Sequence, residues 1–334
     1  MSTGAPTSVD ANAGATGCPA CREPVFEDER FCEACGTRVG ADPDVGDDVG
    51  PAGAPEPTQR ITTDLGVVAA VSDRGWRRHR NEDAAAVAAF GDRAAVVVCD
   101  GVASTANPDA AAQGATTAAI GVLETALASK EPLTPSVLGH VFSEAFGAAQ
   151  RAVVAVPDDE PDGNDLSPST TMVASVAMPG HVVVANVGDC RAYWLGVSAA
   201  DHRTLTVDDS RAQEMIDAGV AAEEAYVDPE AHTITRWLGA DAESVEPAVT
   251  LFDVAAPGLL IVCSDGLWNY FERPAQLAEI VAQAAHATPL EIAGALVDAA
   301  LEAGGHDNIT VAAVRVGPVG STAASKTSTT SIEE

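Results

Sequence analysis

Two short apolar runs, Ala94-Ala95-Val96-Val97-Val98-Cys99 and Leu259-Leu260-Ile261-Val262-Cys263-Ser264, each end in an Asp-Gly pair, Asp100-Gly101 and Asp265-Gly266. A third aspartate, Asp307, instead stands just before a run, Ile309-Thr310-Val311-Ala312-Ala313-Val314. Their β-branched content predicts three buried strands. With the third strand antiparallel to the other two, all three carboxylates are expected at one edge of the same sheet. Hard oxygen ligands gathered at the mouth of an apolar sandwich suit magnesium or manganese.

A charged segment lies upstream. Residues 72–83 hold Arg74, Arg77, Arg78 and Arg80 beside the adjacent pair Glu82-Asp83. Alone, this reads as a solvated loop laced with weak surface ion pairs. A separate group is formed by Cys18-Pro19-Ala20-Cys21 and, ten residues on, Cys32-Glu33-Ala34-Cys35. Two such pairs suit tetrahedral thiolate binding of one structural zinc in a small zinc ribbon, with disulfides or chance spacing as alternatives. Residues 18–38 carry five carboxylates against three arginines, which favours protein contact over nucleic acid. Cys99, Cys190 and Cys263 lie singly in apolar runs, where cysteine acts as a small hydrophobe.

The elements that must position these groups alternate in an ordered way. Strands are predicted near 65–72, 84–90 and 94–99, and helices over 108–128 and 134–156, with Pro108 and Pro135 in first turns. A strand meander is predicted over 170–177, 181–187 and 191–197. A short helix capped near Ser210 ends at Gly219. Residues 220–250 read as irregular and acidic, followed by strand 259–264, helices near 274–286 and 289–303, and the last strand. Strands, helix pairs and strands again predict two antiparallel sheets flanked by helices.

Six segments in order resemble the metal-dependent type 2C serine/threonine protein phosphatases: Arg78 with Asn81-Glu82-Asp83, Asp100-Gly101, Ser169-Thr170-Thr171, Ala185 to Arg191, Ser264-Asp265-Gly266-Leu267, and Asp307-Asn308-Ile309-Thr310-Val311. The resemblance implies an α+β fold, a four-layer α/β/β/α sandwich with metal ions at one end. It implies that Asp100 bridges two Mn²⁺ or Mg²⁺ ions, that the Gly101 carbonyl binds one, and that Asp265 and Asp307 bind the other. Asp189 would share a weaker third ion with Asp265. Glu82 and Asp83 would hold metal-bound waters, and Arg78 would grip phosphate oxygens. The implied chemistry is attack on a phosphoserine or phosphothreonine ester by a hydroxide bridging ions about 4 Å apart. Its partners would be phosphorylated proteins, and serine/threonine kinases would be its opponents.

One departure stands out. Relatives that carry a histidine after the Asp-Gly pair use it to protonate the leaving group, whereas this chain has Val102-Ala103-Ser104. No general acid is assigned; His79 and His306 read as structural or surface residues, and Cys190 beside Asp189 as packing. Residues 211–237 would form a flap beside the site, with Trp237 and Trp268 as core or flap anchors. A phosphatase fold kept as a phosphoprotein-binding scaffold is the competing reading, which the complete set Asp100, Asp265 and Asp307 opposes.

The whole chain sets outer limits. Its 334 residues, 46% hydrophobic, suffice for one large domain and an appendage. Residues 1–17 are expected to be disordered, 18–38 a zinc ribbon, 39–60 an acidic Pro/Gly-rich linker, 61–316 the phosphatase-like domain and 317–334 a disordered tail. With 49 acidic against 18 basic residues, a net charge of −31 opposes binding to nucleic acid and anionic membranes. No apolar run reaches the roughly 18 residues of a membrane helix. The N-terminus lacks the pattern of a signal peptide, so the cytoplasm is the expected compartment.

Overall fold

Along Arg93–Gly101 (β6) the even-numbered Ala94, Val96 and Val98 enter one core, and the odd-numbered Ala95, Val97 and Cys99 another. The same alternation splits Gly258–Cys263 (β13): Leu260 and Val262 face inward between sheets, while Leu259, Ile261 and Cys263 face a helical layer. In Ile309–Val316 (β14), Ala312 and Val314 take the first environment and Ile309, Val311 and Ala313 the second. Strands buried on both faces read as unbroken apolar runs, because successive side chains point to opposite sides and both sides are covered.

The computed structural model describes residues 59–157, 166–283 and 287–319, with the backbone of two short strands near the N-terminus. The chain divides into two units, Met1–Pro57 and Thr58–Glu334. In the first, β1 (Thr16–Gly17) pairs antiparallel with β2 (Pro24–Val25). Cys18, Cys21, Cys32 and Cys35 lie outside the described residues, as does nearly all of the expected linker and tail.

The second unit holds two six-stranded antiparallel sheets. The first runs in the order β10 (Arg203–Thr204), β9 (Arg191–Leu195), β13, β14, β4 (Val68–Asp73) and β3 (Arg60–Asp64). The second runs β12 (Ala248–Asp253), β8 (His181–Val187), β7 (Ser169–Met178), β6 and β5 (Asp83–Phe90), with β11 (Leu238–Gly239) also paired to β7. Helices α1 (Pro108–Ala128) and α2 (Pro135–Val154) cover the outer face of the second sheet. On the outer face of the first lie α5 (Asp265–Trp268), α6 (Pro274–Ala282) and α7 (Pro289–Ala303). The core between the sheets completes the four layers.

Local chemistry sets the helix starts. Proline occupies the first turn of α1, α2, α6 and α7, where no N–H is needed. The Thr134 hydroxyl accepts from Val137 N at 3.3 Å, and Thr288 with Glu291 forms a reciprocal capping box on α7. The helix expected after Ser210 is α3 (Arg211–Asp217), its N-terminus capped by the Ser210 side chain.

One expectation fails. Asp100 and the pair Asp265 and Asp307 do not share a sheet edge: β6 belongs to the second sheet, β13 and β14 to the first. β13 and β14 are antiparallel neighbours as expected. An apolar run covered on both faces carries no sign of which sheet owns it, so its pattern fits either position. The carboxylates meet instead because both sheets end at the same end of the sandwich.

Candidate active site

The loop 74–82 leaves the first sheet after Asp73 and enters the second at Asp83, so it crosses the gap between them. Asn308 holds it. Its side-chain amide donates to the carbonyls of Arg74 at 2.7 Å and Arg80 at 3.0 Å, and its Oδ1 accepts from Glu82 N at 2.8 Å. Two glycines let neighbouring backbone close on this hinge. Gly75 has φ +76°, and a Cβ there would strike the Asp307 carbonyl oxygen; a Cβ on Gly266 would strike the Asn308 carbonyl oxygen.

The loop and strand ends line a cavity of about 290 Å³ that includes Arg78, Glu82, Asp100, Gly101, Asp189, Asp265 and Asp307. Val102, Ala103, Thr171 and three flap residues, His232, Thr233 and Ile234, complete it. Asp83 is the cross-strand partner of Asp100 and lies behind this lining. The site residues expected from sequence, outside the cysteine quartet, thus come to one place.

Each group is held. Arg78 Nη2 donates to Asp307 Oδ2 at 2.7 Å, with 38% of the arginine side chain still accessible. Glu82 Oε1 accepts from Arg80 Nε at 2.9 Å. The Asp100 carbonyl accepts from the Thr170 hydroxyl at 2.8 Å, and Gly101 N donates to the Glu82 carbonyl at 3.1 Å. Asp265 Oδ2 accepts from Asn269 Nδ2 at 3.2 Å. Beside Asp189, the indole of buried Trp268 donates to the Asp189 carbonyl at 3.0 Å, and Arg191 stacks on the Trp268 ring at 3.8 Å.

Crowding shapes the electrostatics. Burial, then the charges of Asp83, Asp265, Asp307 and Asp189, hold the Asp100 carboxyl well above the usual range. Burial and then Asp265 and Asp208 do the same to Asp189. Asp265 is pushed up to about 6 by burial and Asp307, against a bond to Asp100 and the charge of Arg78. Asp83 is pushed up to about 7 by burial, against bonds from Ser264 and Thr310. For Arg78, burial is the largest single influence and opposes the charge, but the bond to Asp307 together with the charges of Asp307, Glu82 and Asp265 raises the guanidinium pKa. Like charges this close favour a bound cation.

The donor set fits hard divalent ions. Asp83 Oδ1 is buried and has no hydrogen-bond partner, a gap that a cation or its water would fill. Among the described residues, no three His, Cys, Asp or Glu side chains close on a single ion. Carboxylates and a backbone carbonyl are the hard oxygen donors that Mg²⁺ or Mn²⁺ takes, with water completing the shell.

Some contributors were not anticipated. Ser264 and Thr310 orient Asp83, and Asn308 holds the loop; all three lie within the quoted segments, where adjacency was the available signal. His232 gave none, being a lone histidine in an acidic stretch. Cys190 is buried packing, as expected, and its sulfur lies 3.3 Å from the Thr171 hydroxyl. Cys99 and Cys263 are likewise free and buried. Trp268 is a core anchor, while Trp237 Nε1 bonds Asp241 at 2.9 Å.

The fold and this carboxylate-lined cavity define a class. The family profile described as protein phosphatase 2C matches residues 77–302. The serine/threonine phosphatase stp of Listeria innocua is 31% identical over 243 residues, covering 72% of this chain and 92% of its own. The serine/threonine protein phosphatase PstP of Mycobacterium tuberculosis is 29% identical over 73% of this chain and 43% of its own. The crystal structure of that phosphatase superposes with a TM-score of 0.59 at 28% identity, covering 75% of this chain and 98% of the solved one. A structure of the PstP catalytic domain in complex with two manganese ions gives 0.55 at 25% identity, over 77% and 99%. The chain belongs to the protein phosphatase 2C family. It is a serine/threonine protein phosphatase, a phosphoric monoester hydrolase.

Proposed function

We propose that this phosphatase uses two Mn²⁺ or Mg²⁺ ions to hydrolyse phosphoserine and phosphothreonine esters in proteins, reversing the work of serine/threonine kinases. Asp100 would bridge the ions, the Gly101 carbonyl would bind one, and Asp265 and Asp307 the other. Asp189 and Asp265 would share a weaker third. The observation that carries this reading is the orphaned Asp83 Oδ1 beside carboxylates whose pKa values are raised by burial and then by one another's charge. Bound there, the ions supply a nucleophile from water near neutral pH and offset negative charge on the phosphoryl group.

The chain's own groups do the rest. Glu82 and Asp83 accept hydrogen bonds from ordered water and fix its orientation. Arg78, partly accessible at the rim, binds phosphate oxygens with a planar fork that keeps its charge at any working pH. Its bond to Asp307 couples substrate grip to a metal ligand. No side-chain nucleophile is required, and burial pushes the Cys99 thiol up to about 12, which suits packing rather than attack.

The four N-terminal cysteines, Cys18, Cys21, Cys32 and Cys35, would hold one structural zinc in a protein-contact module. The free thiols of Cys99, Cys190 and Cys263 support a reducing compartment, the cytoplasm. No helix among the described residues is long and apolar enough to cross a membrane.

The test is hydrolysis of a phosphothreonine peptide with added manganese, then with excess EDTA. Activity should require the metal, and Asp265→Asn should abolish nearly all turnover while leaving the circular dichroism spectrum unchanged. Turnover that persists in EDTA, or a folded Asp265→Asn chain with an unchanged rate, would refute the assignment.

A further inference from the structure

The departing serine or threonine oxygen leaves as a strongly basic alkoxide unless a proton reaches it, and a positioned donor accelerates such a step by roughly 10²–10⁴-fold. The cavity lining narrows the choice of donor. Asp100, Asp189, Asp265 and Asp307 serve as ion ligands, Glu82 orients water, Arg78 keeps its charge, and Val102 has no proton to give. The one imidazole in the lining belongs to His232.

His232 reaches the cavity from the flap, in a lining it shares with the aspartates of the strand ends. Its ring sits 6.3 Å from that of Tyr226 and 6.0 Å from that of Trp268. Trp268 is itself bonded to the Asp189 carbonyl, so the flap ring rests on a residue anchored in the floor of the site. The backbone on either side is pinned: the Ala231 carbonyl accepts from Ala212 N, and the Thr233 carbonyl from Arg211 N, both at 2.9 Å. Ile234 forms a bridge with Ser210. Such support gives an exposed side chain a repeatable position.

Resting on the phosphatase reading above, we propose that His232 is the general acid of this enzyme. In-line displacement sends the leaving oxygen away from the nucleophile, hence away from the carboxylate floor and toward the flap. As the bond between phosphorus and the ester oxygen breaks, its electron pair stays on that oxygen, which takes a proton from the imidazolium of His232. The new bond joins phosphorus to the oxygen of water, whose proton passes to solvent, and the imidazole is reprotonated from solvent. The charged groups that share the lining with His232 are Glu82, Asp100, Asp189, Asp265, Asp307 and Arg78, and Tyr226 is packed beside the ring.

The experiment compares His232→Gln with the unsubstituted full-length chain at saturating manganese, across a phosphothreonine peptide and aryl phosphates of decreasing leaving-group pKa. A p-nitrophenolate departs readily without a proton; an alkoxide does not. The expected result is a fall in kcat of about 100-fold on the peptide that shrinks steadily as the leaving group improves. An equal loss on every substrate, or none on the peptide, overturns the assignment. Turnover of the peptide by the unsubstituted chain that persists when manganese is replaced by excess EDTA would instead count against the metal-dependent phosphatase reading.

Discussion

Ser264 Oγ donates to Asp83 Oδ2 at 2.6 Å, joining the end of β13 in one sheet to the start of β5 in the other. The same oxygen accepts from Thr310 N at 3.0 Å, which adds β14. A single hydroxyl therefore ties together three strand ends from two sheets. It occupies one oxygen of Asp83 and leaves the other, Oδ1, without a protein partner. The carboxylate is thereby aimed rather than merely buried.

Ser264→Ala should expose how much that tie contributes. The change takes the Ser264 bond from buried Asp83 Oδ2 and leaves Thr310 N without its hydroxyl acceptor, a cost of about 1–3 kcal/mol. Urea denaturation should show a loss of that size, and a manganese titration of activity should show weaker saturation. An unchanged midpoint together with an unchanged titration would mean that Ser264 is a bystander.

The metal-free protein should be least comfortable near neutrality. Asp265 rises from an ordinary 3.8 to about 6 and Asp83 from 3.8 to about 7, burial being the largest cause in each. A raised carboxylate pKa means that the folded chain still holds protons the unfolded chain has released. The stability from these groups is complete below the unfolded value and is lost as pH climbs through the folded ones. Calorimetry in EDTA should show stability falling from about pH 4 to about pH 7, and manganese should restore it at the upper end. Asp265→Asn should flatten part of the slope. A variant with the slope of the parent would contradict the crowding described here.

Arg78→Lys keeps the charge but replaces a planar fork with a point donor. KM for a phosphothreonine peptide should rise about tenfold, equivalent to about 1.4 kcal/mol, with a smaller change in kcat. Steady-state kinetics would decide it, and an unchanged KM would remove Arg78 from substrate binding.

Much of this was legible in the residues, for reasons that also explain what was not. Runs such as 94–99, 259–264 and 309–314 declare themselves as strands because both faces are buried, so nothing interrupts them. The same uniformity hides which sheet each joins, and the expectation of a single shared edge failed there. β3, whose residues are all exposed, went unnoticed because an edge strand needs little apolar content, and β12, an apolar but mostly exposed edge strand, was hidden at the end of a stretch read as irregular and acidic. The aspartates stood out by their Asp-Gly and Asp-Asn contexts. Asn308, Ser264 and Thr310 were quoted as neighbours without roles, since a hydrogen bond between distant segments leaves no local pattern. His232 reaches the cavity only through the path of the flap, which depends on tertiary contacts of Arg211, Ala212 and Trp268.

The most direct test is anomalous diffraction at the manganese edge from crystals of the full-length protein grown with MnCl₂. Two peaks about 4 Å apart, one carboxylate of Asp100 between them and Asp265 with Asp307 on one side, are the expected result. Manganese bound elsewhere, or a single ion contacting neither Asp100 nor Asp265, would contradict the account.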